Sequence, residues 1–377
     1  PFGCILDHMD TTTASTWVEV DLAAIRSNVR ALTRLTSAKV MAIVKGNAYG
    51  HGLVPVGQAA LEGGAAWLGV ARLEEAQQLR AGGVRGPIMA MTYTHPSRAG
   101  EAAADQITLA AYDPDLARQL SAQAHALGVT VAVHAKVDTG MSRLGVMAED
   151  GVEFLRLLHS LPGLEVTGLF THFARGDDKD HPANFKQLER FQALISALEA
   201  ANLRPPTVHC CATAATFFMP QAHFDMVRPG IAVYGLQCSD DARLPSDFRP
   251  ALTWKARLVS VKTLPAGQGV GYNYRYTTQS EERVGVIAAG YGDGFRRRTG
   301  NFALLGGRRV NVLGGMCADQ CIISLQELPE VRVGDEAVLI GRQGQAEIPA
   351  EEVAKAWNTT NYEVVCGITA RVPRFYR

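Results

Sequence analysis

The feature that most constrains the fold is a regular alternation of short apolar runs with longer amphipathic stretches between residues 38 and 236. Strands that alternate with helices in this way are typical of a parallel sheet. We predict eight strands: KVMAIVK (39–45), AAWLGVA (65–71), GPIMAM (86–91), ITLAAY (107–112), TVAVHAKVD (130–138), LEVTGLFTH (164–172), TVHCCAT (207–213) and DMVRPGIAVYG (225–235). Eight parallel strands with helices between them predict an α/β barrel of the TIM type.

A different pattern begins after SDFRPALTW (246–254), where the helical periodicity stops. Alternating segments with glycine-rich turns follow and predict antiparallel strands. We therefore predict a barrel domain over residues 14–246 and a mainly antiparallel β domain over 247–377, interrupted by one helix at PAEEVAKAWN (349–358). Residues 1–13 show neither pattern, and we expect them to be a disordered or artificial tail.

The composition narrows the class of partner. The 377 residues carry 37 basic and 37 acidic side chains, and this balance argues against nucleic acid or an anionic membrane as the partner. No apolar run approaches the roughly 20 residues that span a bilayer, and the first residues do not resemble a signal peptide. The seven cysteines lack the spacing of a metal site. We expect a cytoplasmic protein that acts on a small molecule without a metal.

Polar side chains occur where the predicted barrel strands end. Buried parallel strands are normally unbroken apolar runs, and barrel enzymes collect their chemistry at the carboxyl ends of the strands. From residue type alone, a strand-end lysine is a catalytic amine or an ion-paired residue, and a buried arginine is a ligand donor or part of a salt bridge. Seven such residues from five strands predict one shared pocket: Lys45, Lys136, Asp138, His172, His209, Thr213 and Arg228.

The segment VKGNAYGHG (44–52) resembles the cofactor-attachment motif of alanine racemases, whose usual form is AVVKANAYGHG, with Gly46 in place of an alanine. Further matches cover the chain from Val18 to Arg374: KVDTGMSRLG (136–145), VRPGIAVYG (227–235), GYNYRYT (271–277), CADQ (317–320) and NYEVVCGITARVPR (361–374). The resemblance implies a homodimeric isomerase that interconverts L- and D-alanine by two-base proton transfer at Cα of a pyridoxal 5'-phosphate aldimine, and that supplies D-alanine for peptidoglycan.

The resemblance also implies which residues hold the cofactor. Lys45 would form the Schiff base, and Arg228, backed by His209, would donate a hydrogen bond to the pyridine nitrogen and keep it unprotonated. Arg143 would contact the phenolic oxygen of the cofactor and the substrate carboxylate. The phosphate would be held by Tyr49, Thr213, Gly230, Ile231 and Tyr362. Ala212-Thr213 stands where the family commonly has Asn-Ser, so one polar contact is lost.

Tyr272 matches the second catalytic acid/base, with His172 and Arg228 as its relay. Asp319 and the backbone of Ala318 would line the substrate carboxylate, Tyr291 and Tyr362 would narrow the entrance, and Lys136 matches a position often carbamylated in the family. The resemblance places Tyr272 and Asp319 in the active site of the partner subunit. The sequence departs from the usual pattern at Gly271-Tyr272-Asn273, where Ser-Tyr-Gly is more common, and at Ala318, where the family has Met.

Three other functions remain open at the level of sequence. A serine or broad-specificity racemase is the nearest, because Ala212 and Ala318 remove polarity or bulk near the pocket. A barrel decarboxylase with the same cofactor would place an acidic residue where this chain has Arg228. A non-catalytic pyridoxal-phosphate carrier would lack the second domain that contains Tyr272.

Overall fold

The computed structural model describes residues 10–377. The strands are β1 (Thr16–Val20), β2 (Lys39–Ile43), β3 (Trp67–Val70), β4 (Ile88–Ala90), β5 (Ile107–Ala111), β6 (Val131–Asp138), β7 (Val146–Met147), β8 (Leu164–Phe170), β9 (Thr207–His209), β10 (Met226–Val227), β11 (Leu252–Leu264), β12 (Gly269–Val270), β13 (Tyr276–Thr277), β14 (Glu282–Ile287), β15 (Phe302–Leu305), β16 (Arg308–Leu313), β17 (Cys321–Ser324), β18 (Glu336–Gln343), β19 (Ala346–Ile348) and β20 (Arg374–Tyr376). The helices are α1 (Leu22–Leu35), α2 (Lys45–Tyr49), α3 (Leu53–Glu62), α4 (Leu73–Ala81), α5 (Ala99–Ala104), α6 (Pro114–Ala126), α7 (Gly151–Ser160), α8 (Pro182–Ala200), α9 (Thr213–Phe218), α10 (Ala350–Trp357) and α11 (Asn361–Cys366). Among the described residues, no helix has the length and apolar character needed to cross a membrane.

The chain forms two compact units. The barrel unit contains residues 23–48 and 53–249, and the β unit contains the segment that ends at Leu22, residues 49–52 and residues 250–377. The predicted range 14–246 for the barrel therefore includes β1, a strand of the other unit. Residues 1–9 of the predicted tail lie outside the described residues, whereas Asp10 begins a turn in which its carboxylate accepts hydrogen bonds from the Thr12 and Thr13 amides.

The barrel unit contains the predicted parallel strands in the order β10-β2-β3-β4-β5-β6-β8-β9. Two backbone hydrogen bonds connect the ends of this order, from the Asp225 amide to Val208 O at 3.0 Å and from the Arg228 amide to Cys211 O at 2.7 Å. The apolar residues of β2 after Lys39 are all buried, as expected of a strand covered on both faces. The structure confirms the eight-stranded α/β barrel.

The last two barrel strands are shorter than predicted. The predicted strand 225–235 contains only Met226–Val227 as strand, and Ile231–Tyr234 forms a 3-10 helix instead. Pro229 has no backbone N–H to offer a neighbouring strand, and Gly230 turns the chain with φ −111° and ψ −84°. The predicted strand 207–213 ends at His209, and Thr213 begins α9.

The β unit is mainly antiparallel, as predicted. Its larger sheet has the order β19-β18-β15-β16-β17-β14-β11-β1-β20. In it, β1 pairs antiparallel with β11 and parallel with β20, so residues near the start of the chain complete a sheet made from its end. The prediction of one interrupting helix was wrong. Asn358, with φ +53°, stops α10 after Trp357, and a second helix, α11, begins at Asn361.

Candidate active site

Arg228 lies at the centre of the polar residues at the strand ends. Its guanidinium is buried and follows β10. Nη1 donates to His209 Nδ1 at 2.8 Å, and Nη2 donates to Thr171 O at 2.8 Å, to Cys210 O at 3.0 Å and to His172 Nδ1 at 3.2 Å. All four acceptors are uncharged groups, and among the described residues no carboxylate forms an ion pair with this cation. Burial lowers the pKa of Arg228 to about 10, so it stays protonated at neutral pH.

His209 is held between Arg228 and a stacked aromatic ring. The imidazole lies parallel to the Phe170 ring, with centroids 5.0 Å apart. Burial, and then the charge of Arg228, lower the pKa of His209 and of His172 well below the ordinary value. Both histidines are therefore neutral at physiological pH, and each accepts a hydrogen bond from the guanidinium through Nδ1.

Several cations surround the same strand ends. Lys136 is buried in β6, with its Nζ 5.2 Å from the centre of the Phe170 ring. Burial, and then the positive charges of Arg143 and Arg228, lower the pKa of Lys136 to about 8, although the nearby carboxylate of Asp138 opposes the shift. Lys45 adds to this positive field, because its charge also lowers the pKa values of Lys136 and His172.

Asp138 organises the loop that presents Arg143. Its carboxylate accepts hydrogen bonds from the backbone amides of Gly140 at 2.7 Å, Met141 at 2.8 Å and Arg143 at 3.2 Å. Burial raises the pKa of Asp138, but these backbone hydrogen bonds outweigh it and the net shift is downward. Asp138 is therefore a structural anion, and the exposed Arg143 side chain emerges from a loop that it fixes.

The backbone adopts the left-handed conformation directly after Lys45. Residues 46–50 all have positive φ angles, from Gly46 at +65° to Gly50 at +81°, so α2 is a left-handed turn. A glycine adopts this conformation without a steric cost, which accounts for Gly46 where the family commonly has alanine. Glu75 supports the turn, since its carboxylate accepts the Gly46 amide at 2.6 Å and the Ala71 amide at 2.9 Å.

Thr213 and Gly230 meet at the same end of the barrel. The Thr213 hydroxyl accepts a hydrogen bond from the Gly230 amide at 2.8 Å. Thr213 is buried at the first position of α9, and Ala212 before it provides no side-chain cap. Ile231 begins the adjacent 3-10 helix. The group combines a hydroxyl with the amino ends of two helical turns, an arrangement suited to an anion.

The remaining predicted residues belong to the β unit. Tyr49 and Tyr362 pack with ring centroids 5.8 Å apart. Asp319 accepts a hydrogen bond from Arg371 at 2.6 Å, and Arg371 also binds the buried Asp293. The Ala318 carbonyl accepts the Gly292 amide at 2.8 Å, beside the half-exposed Tyr291.

Tyr272 lies in a short 3-10 turn, Tyr272–Tyr274, and 64% of its surface is exposed. Gly271 has φ +68° and ψ −166°, a region open almost only to glycine, and Asn273 has φ +59°, which asparagine tolerates better than most residues. The two departures from Ser-Tyr-Gly therefore match the backbone that this turn requires. The family resemblance also implies a hydrogen bond from His172 to Tyr272, and this stays a prediction.

Three residues near the site were not predicted from the sequence: His134, Glu75 and Gly168. His134 Nδ1 lies 2.8 Å from His209 Nε2, and His134 is completely buried. A signal was present in the strand VAVHAKVD, because His134, Lys136 and Asp138 alternate and therefore point to the same face of β6.

The chain is similar to alanine racemases over nearly its full length. The family described as "Alanine racemase, N-terminal domain" matches residues 20–238, and "Alanine racemase, C-terminal domain" matches residues 251–376. An alanine racemase of Symbiobacterium thermophilum is 45% identical over 96% of this chain and 97% of its own length. The crystal structure of alanine racemase from D-cycloserine-producing Streptomyces lavendulae is 38% identical, with a TM-score of 0.91 over 97% of both chains.

A structure with the same fold is named for a different amino-acid substrate. A histidine racemase of Leuconostoc mesenteroides is 28% identical, with a TM-score of 0.89 over 97% of this chain and 98% of its own. Both alanine racemase domain models match this chain, and alanine racemases are more similar to it in sequence than this histidine racemase is. The chain belongs to the alanine racemase family and is an isomerase.

Proposed function

We propose that this enzyme interconverts L- and D-alanine, with pyridoxal 5'-phosphate bound at the strand ends of the barrel. The observation that carries the proposal is the buried guanidinium of Arg228, whose Nη groups are all directed at neutral acceptors within the barrel. Its Nε donates to none of the described residues, so it can donate to a ring nitrogen that carries no proton. A decarboxylase-type site, with a carboxylate at this position, does not fit the residues present.

The other donors at the strand ends fit the same cofactor. Lys45 would be the attachment residue, as the family resemblance implies, because its amine can form a Schiff base with the cofactor aldehyde. The Thr213 hydroxyl and the backbone around Gly230 and Ile231 would hold the phosphate, with the Tyr49 and Tyr362 hydroxyls added by the family resemblance. When bound, pyridoxal phosphate withdraws electrons from Cα of an attached amino acid and makes its proton acidic.

Two groups of the protein would move that proton. Lys45 would remove and return it on the face that serves D-alanine, and Tyr272 of a partner subunit would do so on the face that serves L-alanine. A pair is needed because one positioned group does not reach both faces of a planar Cα. His172, Arg228 and His209 would relay charge toward Tyr272, and their mutual hydrogen bonds favour a rigid arrangement.

Arg143 would bind the substrate carboxylate through its planar guanidinium. The lowered pKa of Lys136, about 8, leaves part of this amine neutral near physiological pH. A neutral amine reacts with carbon dioxide to give a carbamate and a released proton, and the resulting anion would hold Arg143 in place. This supports carbamylation of Lys136 as part of the proposal.

The β unit would complete the site of a second subunit. By the family resemblance, Asp319 and the Ala318 backbone would line the substrate carboxylate, while Tyr291 and Tyr362 would restrict the entrance to small amino acids. We therefore propose a homodimer with two composite sites. The same resemblance supports a cytoplasmic enzyme that supplies D-alanine for peptidoglycan.

A racemisation assay of the purified enzyme with bound cofactor tests the proposal. Alanine, serine, lysine and arginine are compared, with Lys45→Ala as the inactive control. We expect alanine to have the highest kcat/KM. Comparable turnover of serine would replace the proposal with a broad-specificity racemase, and bound cofactor without any turnover would replace it with a carrier.

A further inference from the structure

We propose that His134 is a positioning residue that fixes the tautomer of His209 and, through it, the direction of the Arg228 guanidinium. The inference rests on the proposed function, because it assigns a role within the same site. His134 contacts the site through its hydrogen bond to His209, and it would act on Arg228 through that residue.

The hydrogen-bond chain determines where each proton lies. An arginine side chain has donors only, so His209 Nδ1 must accept from Arg228 Nη1 at 2.8 Å. A neutral His209 therefore carries its proton on Nε2. Nε2 lies 2.8 Å from His134 Nδ1, which must in turn be the acceptor. The order of donation is Arg228 to His209 to His134.

Both rings are neutral in this chain, which the tautomer argument requires. Burial, followed by the charge of Arg228, lowers the pKa of His134 to about 3 and that of His209 well below its ordinary value. A second proton on either ring would place a second positive charge near Arg228, which forms no ion pair with a carboxylate among the described residues.

The strands are shaped to admit the His134 ring. The pairing of β6 with β8 shifts between Val133 and His134, so that Val133 pairs with Val166 and His134 pairs with Gly168. A Cβ on Gly168 would lie 2.5 Å from Cγ, Cδ2 and Nδ1 of the imidazole. A shift in strand register re-aims the side chain beside it, and here the shift and the glycine occur together at the histidine.

Packing alone does not account for a histidine at this position. His134 is completely buried between Trp67, whose ring centroid is 5.6 Å away, and His209. Its Nε2 makes no hydrogen bond within residues 10–377. A buried polar group without a partner destabilises the fold, and an apolar side chain of similar size would avoid that cost. The retained imidazole therefore points to the hydrogen bond at Nδ1 as its function.

Loss of that acceptor would leave the Nε2 proton of His209 without a partner, so that part of the His209 population would carry its proton on Nδ1 instead. The Nδ1–H of His209 would then face the Nη1 donor of Arg228. Because two donors repel each other, the guanidinium would turn away from its present direction. The change would affect the reaction more than substrate binding, because the guanidinium does not touch the substrate carboxylate in the proposed site.

A matched pair of substitutions tests this role in the full-length enzyme with bound cofactor. His134→Asn keeps an acceptor near the position of Nδ1, and His134→Leu removes it at similar size. We expect the Leu variant to lower kcat by about 10- to 100-fold with little change in KM, since small misplacements in a site have effects of that size. The Asn variant should stay within about threefold of the wild type, and His125→Leu, at an exposed histidine of α6, should have no effect.

The tautomer itself is measured by nitrogen NMR on histidine labelled with ¹⁵N, with His209 assigned from a His209→Gln sample. We expect an unprotonated Nδ1 and a protonated Nε2 on His209 in the wild type and the Asn variant, and a changed pattern in the Leu variant. A wild-type His209 protonated on Nδ1 would overturn the inference, even if neither variant folds. Equal losses in Asn and Leu, or a Leu variant like the wild type, would also overturn it. A wild-type enzyme that fails to racemise alanine would overturn the proposed function. In that case the NMR measurement alone would decide whether His134 fixes the tautomer of His209.

Discussion

The Thr213 hydroxyl oxygen accepts the Gly230 backbone N–H at 2.8 Å and so joins the start of α9 to the chain that follows β10. A hydroxyl that accepts one hydrogen bond still has its own proton to donate. The bond thus orders two neighbouring backbone segments and directs one O–H donor among them. This is the arrangement from which we infer the phosphate site.

Replacing Thr213 tests that site. Thr213→Val keeps the shape but removes the hydroxyl, and we expect the Kd for pyridoxal phosphate to rise about tenfold, the equivalent of roughly 1.4 kcal/mol. Thr213→Ser keeps the hydroxyl and should bind nearly as the wild type. Cofactor titration of the stripped enzyme, followed by absorbance, measures both. A Val variant with wild-type affinity would remove Thr213 from the phosphate site.

The buried histidines predict a loss of stability in mild acid. His134, His172 and His209 have pKa values below the ordinary 6.5 in the folded protein, because they are buried beside Arg228. The unfolded chain binds protons at these histidines below about pH 6.5, whereas the folded chain does not. Their contribution is therefore complete above pH 6.5 and is lost as the pH falls toward the folded values.

The expected slope is up to about 4 kcal/mol per pH unit below pH 6, the effect of roughly three protons. Urea unfolding between pH 7.5 and pH 5 measures it. His125→Asn, at an exposed histidine, should leave the slope unchanged. An unfolding free energy that stays constant from pH 7.5 to pH 5.5 would contradict the neutral, buried state of these rings.

Shared active sites can be tested by mixing inactive chains. Lys45→Ala and Tyr272→Phe each remove one of the two proposed acid/base groups. If each site takes Lys45 from one subunit and Tyr272 from the other, a mixed dimer contains one intact site, and activity should recover to a fraction of the wild type. Each variant alone, taken through the same mixing procedure, is the control. No recovery after subunit exchange has been verified would indicate a site within one chain.

The two-base proposal predicts unequal isotope exchange. Positioned proton transfer contributes about 10²–10⁴-fold, so Tyr272→Phe should lower racemisation by that factor. In deuterated water the variant should still exchange the Cα proton of D-alanine through Lys45, faster than it racemises, whereas exchange from L-alanine should nearly vanish. Mass spectrometry of the recovered alanine measures both rates. Equal and nearly normal exchange of both enantiomers would exclude Tyr272 as the second base.

The barrel was predictable because its strands are apolar, separate and regularly spaced. The end of the eighth strand was not, since IAVY reads as strand by composition, and only the preceding Pro229-Gly230 turn commits it to a 3-10 helix. The place of β1 was also hidden, because its partners are about 240 and 356 residues further along the chain. Pairing over such distances leaves no local pattern.

The candidate site was predicted more fully by motif resemblance than by residue type. His134 shows the limit, since one histidine inside a hydrophobic strand reads as core until His209 is seen beside it. The left-handed turn after Lys45 shows another, because Gly46 and Gly50 suggest flexibility at two points and do not reveal that Asn47, Ala48 and Tyr49 share the same conformation.

That turn has a consequence for how the protein tolerates mutation. L-residues pay roughly 1–2 kcal/mol each to adopt a left-handed conformation, and β-branched side chains more. Asn47 is exposed, yet it has φ +55° and its side chain accepts the Leu53 amide at 2.9 Å. The left-handed backbone conformation, and not side-chain packing, therefore limits which residues can replace Asn47. We expect a library of variants at this surface position to accept as few residue types as a library at a core position.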